Sequence, residues 1–122
     1  DFYDPNKALP ESPKRHTATK PPFWISLFIE WYDKMRWVTI YKEGQYYEKG
    51  LTQIFKDILF LANDTVVPPG RVIDVGMNVG WFSLWSRALG HQVSSFEPNP
   101  IMHVRVCESL QLNSWDDDGS LQ

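Results

Sequence analysis

The stretch RVIDVGMNVGWFS, residues 71–83, constrains the fold more than any other part of the chain. Branched apolar residues Val72, Ile73 and Val75 flank Asp74, and two glycines then bracket Met77, Asn78 and Val79. The first part reads as a strand over Val72 to Val75, of the kind buried on both faces in a parallel sheet. Gly76 and Gly80 predict a tight loop, and the pattern after them predicts a helix over Trp81 to Leu89. Gly90 stands where a helix end favours a left-handed residue. A second strand is expected over Gln92 to Phe96, and Asn99 with Pro100 makes an N-cap and first-turn pair for a helix reaching Leu112. In a strand, helix, strand, helix unit of this kind the crossover sets the strands parallel, with both carboxyl ends on one edge.

The rest of the chain is less regular. At 122 residues, with 43% hydrophobic and 15% aromatic content, it suits one small domain. Residues 1–22 hold five of the nine prolines and alternating charges, which predicts a flexible, extended arm. From Phe23 to Trp37 the aromatic pattern is helix-like, with Phe23, Leu27, Phe28, Trp31, Tyr32 and Met35 near one face. Trp37 to Tyr41 favours a strand and Gly44 a turn before Tyr46 and Tyr47, so a short hairpin is expected. Leu51, Ile54, Phe55, Ile58, Leu59 and Ala62 recur at helical spacing, opposite Lys56 and Asp57, which predicts an amphipathic helix over 50–62. Pro68, Pro69 and Gly70 then break the chain.

The expected organisation is an arm (1–22), a helix, hairpin and helix lead-in (23–69), a βαβα core (70–113) and an acidic polar tail (114–122) in which Asp116 to Asp118 are solvated. The fold class is α/β: a partial, Rossmann-like first half of a sheet preceded by an α+β segment. Only half of such a sheet is expected, so the chain reads as an excerpt of something longer. The free flank of its first strand calls for an N-terminal segment, a partner chain or a continuation to cover it.

Several function classes fall away on composition. A net charge of −3 offers no basic field for a phosphate backbone, so nucleic acid is not expected as a partner. The longest strongly apolar run, Phe23 to Ile29, falls far short of the roughly 20 residues a membrane span needs, so no transmembrane segment is expected. The single cysteine, Cys107, excludes an internal disulfide and a Cys-rich metal site, and reads as a small buried residue. His16, His91 and His103 have no pattern of partners and read as surface residues, not metal ligands. Asn63-Asp64-Thr65 fits the N-glycosylation pattern, which is frequent by chance. No signal names a compartment, and the cytoplasm is the default.

The chemistry gathers at the strand ends. Gly76 permits a sharp turn and close approach of a ligand, Gly80 lets the helix start tight against the strand, and Asn78 tolerates positive φ. Asp74 can attract a cationic group. Glu97 ends the second strand 23 residues after Asp74, where a carboxylate can accept hydrogen bonds from two adjacent ribose hydroxyls. A pyrophosphate loop wants G-x-G-x-x-G, which Gly76-Met77-Asn78-Val79-Gly80 does not supply, and Asp74 would repel it. The edge therefore suits an adenosine bearing a positive charge better than a dinucleotide.

S-adenosylmethionine is such a molecule, and VIDVGMNVGWFSLWSRALG, then VSSFEPNP and LQLN, closely resemble the FkbM-type family of S-adenosylmethionine-dependent methyltransferases. In that family a D-V-G-A-N-x-G loop precedes an F-E-P-x-P strand end and an Asn-ended helix. The resemblance covers about residues 71–113, and YYEKGLTQIFKDIL more loosely. It implies that Asp74, Gly76, Asn78 and Gly80 line the methionine side of the cofactor, that Glu97 holds its ribose and that Asn99 lies near the adenine. It also implies O-methylation of a hydroxyl or carboxyl group on a sugar or other small metabolite. Met77 replaces the family's usual alanine: turned toward the cofactor it narrows the pocket, turned away it merely packs.

No residue declares itself as general base, and the strands that would shape an acceptor pocket are not in the chain, so methyl transfer by this segment alone is not expected. Two other readings stand beside the methyltransferase. A non-catalytic module could keep the fold to bind a partner, and a nucleotide-dependent oxidoreductase fragment is disfavoured by the loop spacing.

Overall fold

A computed structural model describes residues 12–46, 48–61 and 63–115. Their elements are β1 (Lys14–His16), β2 (Trp24–Ser26), α1 (Lys34–Arg36), a π-helical stretch (Trp37–Lys42), α2 (Lys49–Leu59), β3 (Arg71–Val75), α3 (Trp81–Ala88), β4 (Gln92–Phe96) and α4 (Pro100–Leu112). The fold is mixed α/β with two separate two-stranded sheets, β1–β2 antiparallel and β3–β4 parallel.

The second half follows the expected order to within a residue at each boundary. β3 and β4 pair from Arg71↔Gln92 to Val75↔Phe96, so the two strands end side by side. Side chains alternate across a strand, which puts Val72, Asp74, Val93 and Ser95 on one face. α3 covers that face through Ser83, whose hydroxyl lies 2.6 Å from Asp74 Oδ2 and 2.7 Å from Ser95 Oγ. The opposite face is open: Ile73, Val75 and Phe96 are 65%, 80% and 58% exposed. The strand expected to be buried on both sides is thus half-buried on one and open on the other. Its apolar composition reports what the strand can bury, while the described helices cover only the Asp74 side.

α3 is the centre of the molecule. Ser83 meets the sheet, while Trp81 and Trp85, one turn apart on the opposite face, meet the lead-in segment. Trp81 stacks on Tyr46 with ring centroids 5.4 Å apart and also contacts Phe23 at 5.6 Å. Trp85 contacts Phe55 at 5.2 Å. Such ring pairs contribute roughly 0.5–1.5 kcal/mol each beyond their buried area. They join Phe23, Ile25, Leu27, Phe28 and Ile40 in one core.

The lead-in differs most from expectation. Residues 12–22 do not form a free arm over their described length: β1 pairs with β2, and Thr17 and Thr19 are buried. The expected helix over 23–37 is replaced at its start by β2, because both edges of that strand find partners. The backbone of Phe23 and Leu27 bonds the β1 side, Thr17 N–H to Phe23 C=O and Leu27 N–H to Pro13 C=O, each 2.9 Å. The alternate residues bond α4. Asn113 accepts from Trp24 N–H at 2.8 Å and donates to Trp24 C=O at 2.7 Å, and Ser109 Oγ accepts from Ser26 N–H at 2.8 Å. Two polar side chains at i and i+4 on a helix thus stand in for a neighbouring strand. Glu108 completes the seam by accepting from the Ser26 hydroxyl at 2.5 Å and from buried Arg105 at 2.8 Å. Of the proposed aromatic stripe, Phe23, Leu27 and Phe28 are buried while Trp31, Tyr32 and Met35 are exposed.

The strand expected over Trp37 to Tyr41, and the hairpin built on it, are helical instead. Asp33 caps the start by accepting from Arg36 N–H and pairing with the Arg36 guanidinium. Trp37 then stacks on Tyr41 at 4.0 Å, a pairing that four-residue spacing on a helix provides and a strand does not. Gly44 ends the stretch at φ +68°. α2 forms where expected but is rotated: Thr52 and Leu59 are buried and Phe55 half-buried, while Leu51, Ile54 and Ile58 face outward. Contact of Phe55 and the Lys56 ammonium with Trp85 fixes that rotation. Ala62, Tyr47 and the tail from Asp116 lie outside the described residues. Among the described residues no helix is long and apolar enough to cross a membrane.

Candidate functional site

The carboxyl ends of β3 and β4 meet the Gly76–Gly80 loop at an open recess of about 560 Å³, bordered by Val75, Gly76, Phe96, Glu97 and His103. Its size lies within the range of roughly 300–1,000 Å³ for small-ligand sites.

The loop adopts the conformation its residue types allow. Gly76, Asn78 and Gly80 have φ of +82°, +56° and +86°. The two glycines serve different needs. A Cβ at Gly76 would meet nothing within 4 Å, so this position leaves room at the recess. A Cβ at Gly80 would lie 2.9 Å from Val106 Cγ2. The close approach that Gly80 permits is therefore to α4, not to the strand as expected from sequence.

Every amide of the loop has an internal acceptor. Gly76 and Met77 N–H donate to Phe96 C=O at 2.8 and 3.2 Å, and Gly80 N–H donates to Met77 C=O at 2.9 Å. Asn78 N–H donates to Glu97 Oε2 at 3.0 Å, and Val79 N–H to Asn78 Oδ1 at 2.8 Å. Glu97 also accepts from Asn99 N–H at its other oxygen, 2.9 Å away. A carboxylate offers about four lone-pair sites, and two amides occupy two of them. The edge thus presents carboxylate oxygens with acceptor capacity in place of the free N–H groups that a phosphate requires.

Of the six residues marked out by sequence, Gly76 and Glu97 border the recess and Asn78 joins them through its amide. The other three support this edge from behind. Asp74 accepts from Ser83 under α3, and since the one Ser83 proton goes there, Ser95 donates to Ser83. Gly80 packs on Val106. Asn99, expected beside an adenine, uses its side chain as the α4 N-cap, accepting from Ile101 N–H at 3.1 Å. Met77 is 7% exposed and does not border the recess, so it packs and leaves the opening clear.

Sequence reasoning missed two residues. His103 was expected on the surface and is exposed, yet its Nε2 lies 2.5 Å from Glu97 C=O and its ring borders the recess. The signal was its place on the first turns of the helix after Glu97. His91, also expected on the surface, is 3% exposed, and its Nδ1 accepts from Gly70 N–H at 3.0 Å. Cys107 departs the other way and is exposed. Among the described residues no group of three or more His, Cys, Asp or Glu side chains is placed to hold a metal ion.

A larger recess, about 670 Å³, lies between Lys20, Gln53, Lys56, Asp57 and Trp85. It shares no lining residue with the first and lies away from the strand ends, where open α/β sheets bind ligands. Comparison with protein-family models, with curated proteins and with solved structures finds no match to this chain.

Proposed function

We propose that the chain is the cofactor-binding part of an S-adenosylmethionine-dependent methyltransferase, with the β3–β4 edge as its adenosine site. One observation carries this reading: the Gly76–Gly80 loop donates its amides internally, and Glu97 faces the same recess with acceptor capacity left over. Such an edge suits hydroxyl donors and a cation and disfavours a pyrophosphate, which separates this ligand from a dinucleotide. The resemblance of residues 71–113 to the FkbM-type family supports the same choice.

In this reading Glu97 holds the ribose hydroxyls, Gly76 gives the ligand room and the half-buried Asp74 carboxylate adds negative potential behind the loop. The Asp74–Ser83–Ser95 chain keeps β3 and β4 aligned under the site. The cofactor supplies an electrophilic methyl group on a sulfonium. The chain's contribution is to bind and orient it, which is where positioning lowers a barrier. The acceptor class is a hydroxyl or carboxyl group on a sugar or other small metabolite.

Calorimetric titration with S-adenosylhomocysteine tests this. Micromolar binding by the wild-type chain and a loss of at least tenfold in Glu97→Ala support it; a folded chain that binds nothing refutes it. The exposed Ile73, Val75 and Phe96 favour a second reading, a non-catalytic module that docks a partner on the open sheet face. That outcome would follow from absent cofactor binding together with concentration-dependent association.

A further inference from the structure

We infer that His103 is a positioning residue for Glu97, fixing the carboxylate in the pose that selects a ribose over a deoxyribose; this rests on the adenosine reading of the site. A carbonyl oxygen carries no proton, so the 2.5 Å contact requires His103 Nε2–H to donate to Glu97 C=O. The same residue is held at its other end by the amides of Asn78 and Asn99. Glu97 is therefore clamped from three directions: the glycine loop, the α4 cap and the His103 ring on α4.

The three restraints differ in kind. The two amides orient the carboxylate relative to the loop and the cap. Gly76 and Met77 N–H hold the main chain ahead of Glu97 at Phe96 C=O, and His103 holds it on the far side at Glu97 C=O, before Pro98, so His103 completes the fixing of the root from which the carboxylate extends. A hydrogen bond from two vicinal hydroxyls requires the acceptor oxygens at defined positions, and pre-organisation of this kind converts into discrimination when one hydroxyl is absent. The ring also borders the recess, so its removal changes the wall as well as the restraint. Substitution must separate the two effects.

His103→Leu keeps side-chain bulk and removes the donor. His103→Gln keeps a donor, because the glutamine amide nitrogen lies as many bonds from the backbone as the imidazole Nε2. The side chain is exposed, so neither change removes core packing. The experiment titrates S-adenosylhomocysteine and its 2′-deoxy analogue into the wild type and both variants, with thermal unfolding run alongside. The expected result is a wild-type preference for the ribose form of about tenfold, a fall to within about twofold in His103→Leu and recovery in His103→Gln, with unfolding temperatures little changed. A ribose preference that survives in His103→Leu overturns this inference and leaves the adenosine site standing. Equal wild-type affinity for both ligands overturns the role of Glu97 as well, and a wild type that binds neither overturns the cofactor reading with it.

Discussion

Gly80→Ala is the substitution that most sharply tests the geometry of the loop. Two costs act on the new methyl group. The backbone there has φ +86°, a region that costs an L-residue roughly 1–2 kcal/mol. The Cβ would also lie 2.9 Å from Val106 Cγ2, on a side chain that is itself buried, and overpacking of this kind costs about 1–3 kcal/mol. The sum is roughly 2–5 kcal/mol, a large part of the 5–15 kcal/mol typical of a domain. Gly76→Ala is the internal control: its φ is +82° and nothing lies within 4 Å of a Cβ, so it bears only the backbone cost. Urea unfolding followed by tryptophan fluorescence measures both, with Trp81 next to Gly80 as reporter. Adding Val106→Ala completes a cycle. Alone it is destabilising through a cavity, but in the Gly80→Ala background it removes the atom that is struck, giving a coupling of about 0.5–3 kcal/mol. Equal losses for Gly76→Ala and Gly80→Ala, or strict additivity with Val106→Ala, would refute the packing argument.

Other expectations follow from single contacts. Ser109→Ala leaves the buried Ser26 N–H without its acceptor and should cost about 1–3 kcal/mol by chemical denaturation, whereas a neutral result would mean that α4 does not substitute for a strand at this edge. Ser83→Ala breaks the link between Asp74 and Ser95 and should lower stability by about 1–2 kcal/mol, read as a shift in urea midpoint at unchanged slope. Cys107 is exposed, so a chromogenic disulfide reagent should titrate one thiol in the native chain; reaction only after denaturant would contradict the placement of α4.

The βαβα half was legible because each of its boundaries has a local chemical cause. Gly76, Asn78 and Gly80 sit at positive φ, Asn99 caps α4 and Gly90 follows α3 at φ +90°, and each of these residue types announces that role. The lead-in was not legible, because its structure is settled at long range. β2 is a strand owing to Ser109 and Asn113, more than eighty residues away in sequence, a partnership with no signature in the local pattern around Trp24. The rotation of α2 is likewise set by Trp85, so its apolar periodicity predicted a helix but not which part of the arc would be covered. At the site, residue types brought out Gly76 and Glu97, which border one recess, and Gly80, which packs on Val106 instead. They could not show that Asn99 would spend its side chain on a cap, or that His103 would fold back onto the Glu97 carbonyl.

Whether an adenosine ligand engages the Glu97 carboxylate at the β3–β4 edge decides the proposed function. Nitrogen-15 amide spectra recorded during titration with S-adenosylhomocysteine test it residue by residue, since the Asn78 and Asn99 amides donate to the very oxygens the ligand would share. Binding at this edge gives saturable shifts at Gly76, Asn78 and Asn99, with the Trp85 indole and Lys20 amide beside the other recess unmoved. Shifts confined to Trp85 and Lys20, or none at any ligand concentration, would contradict it.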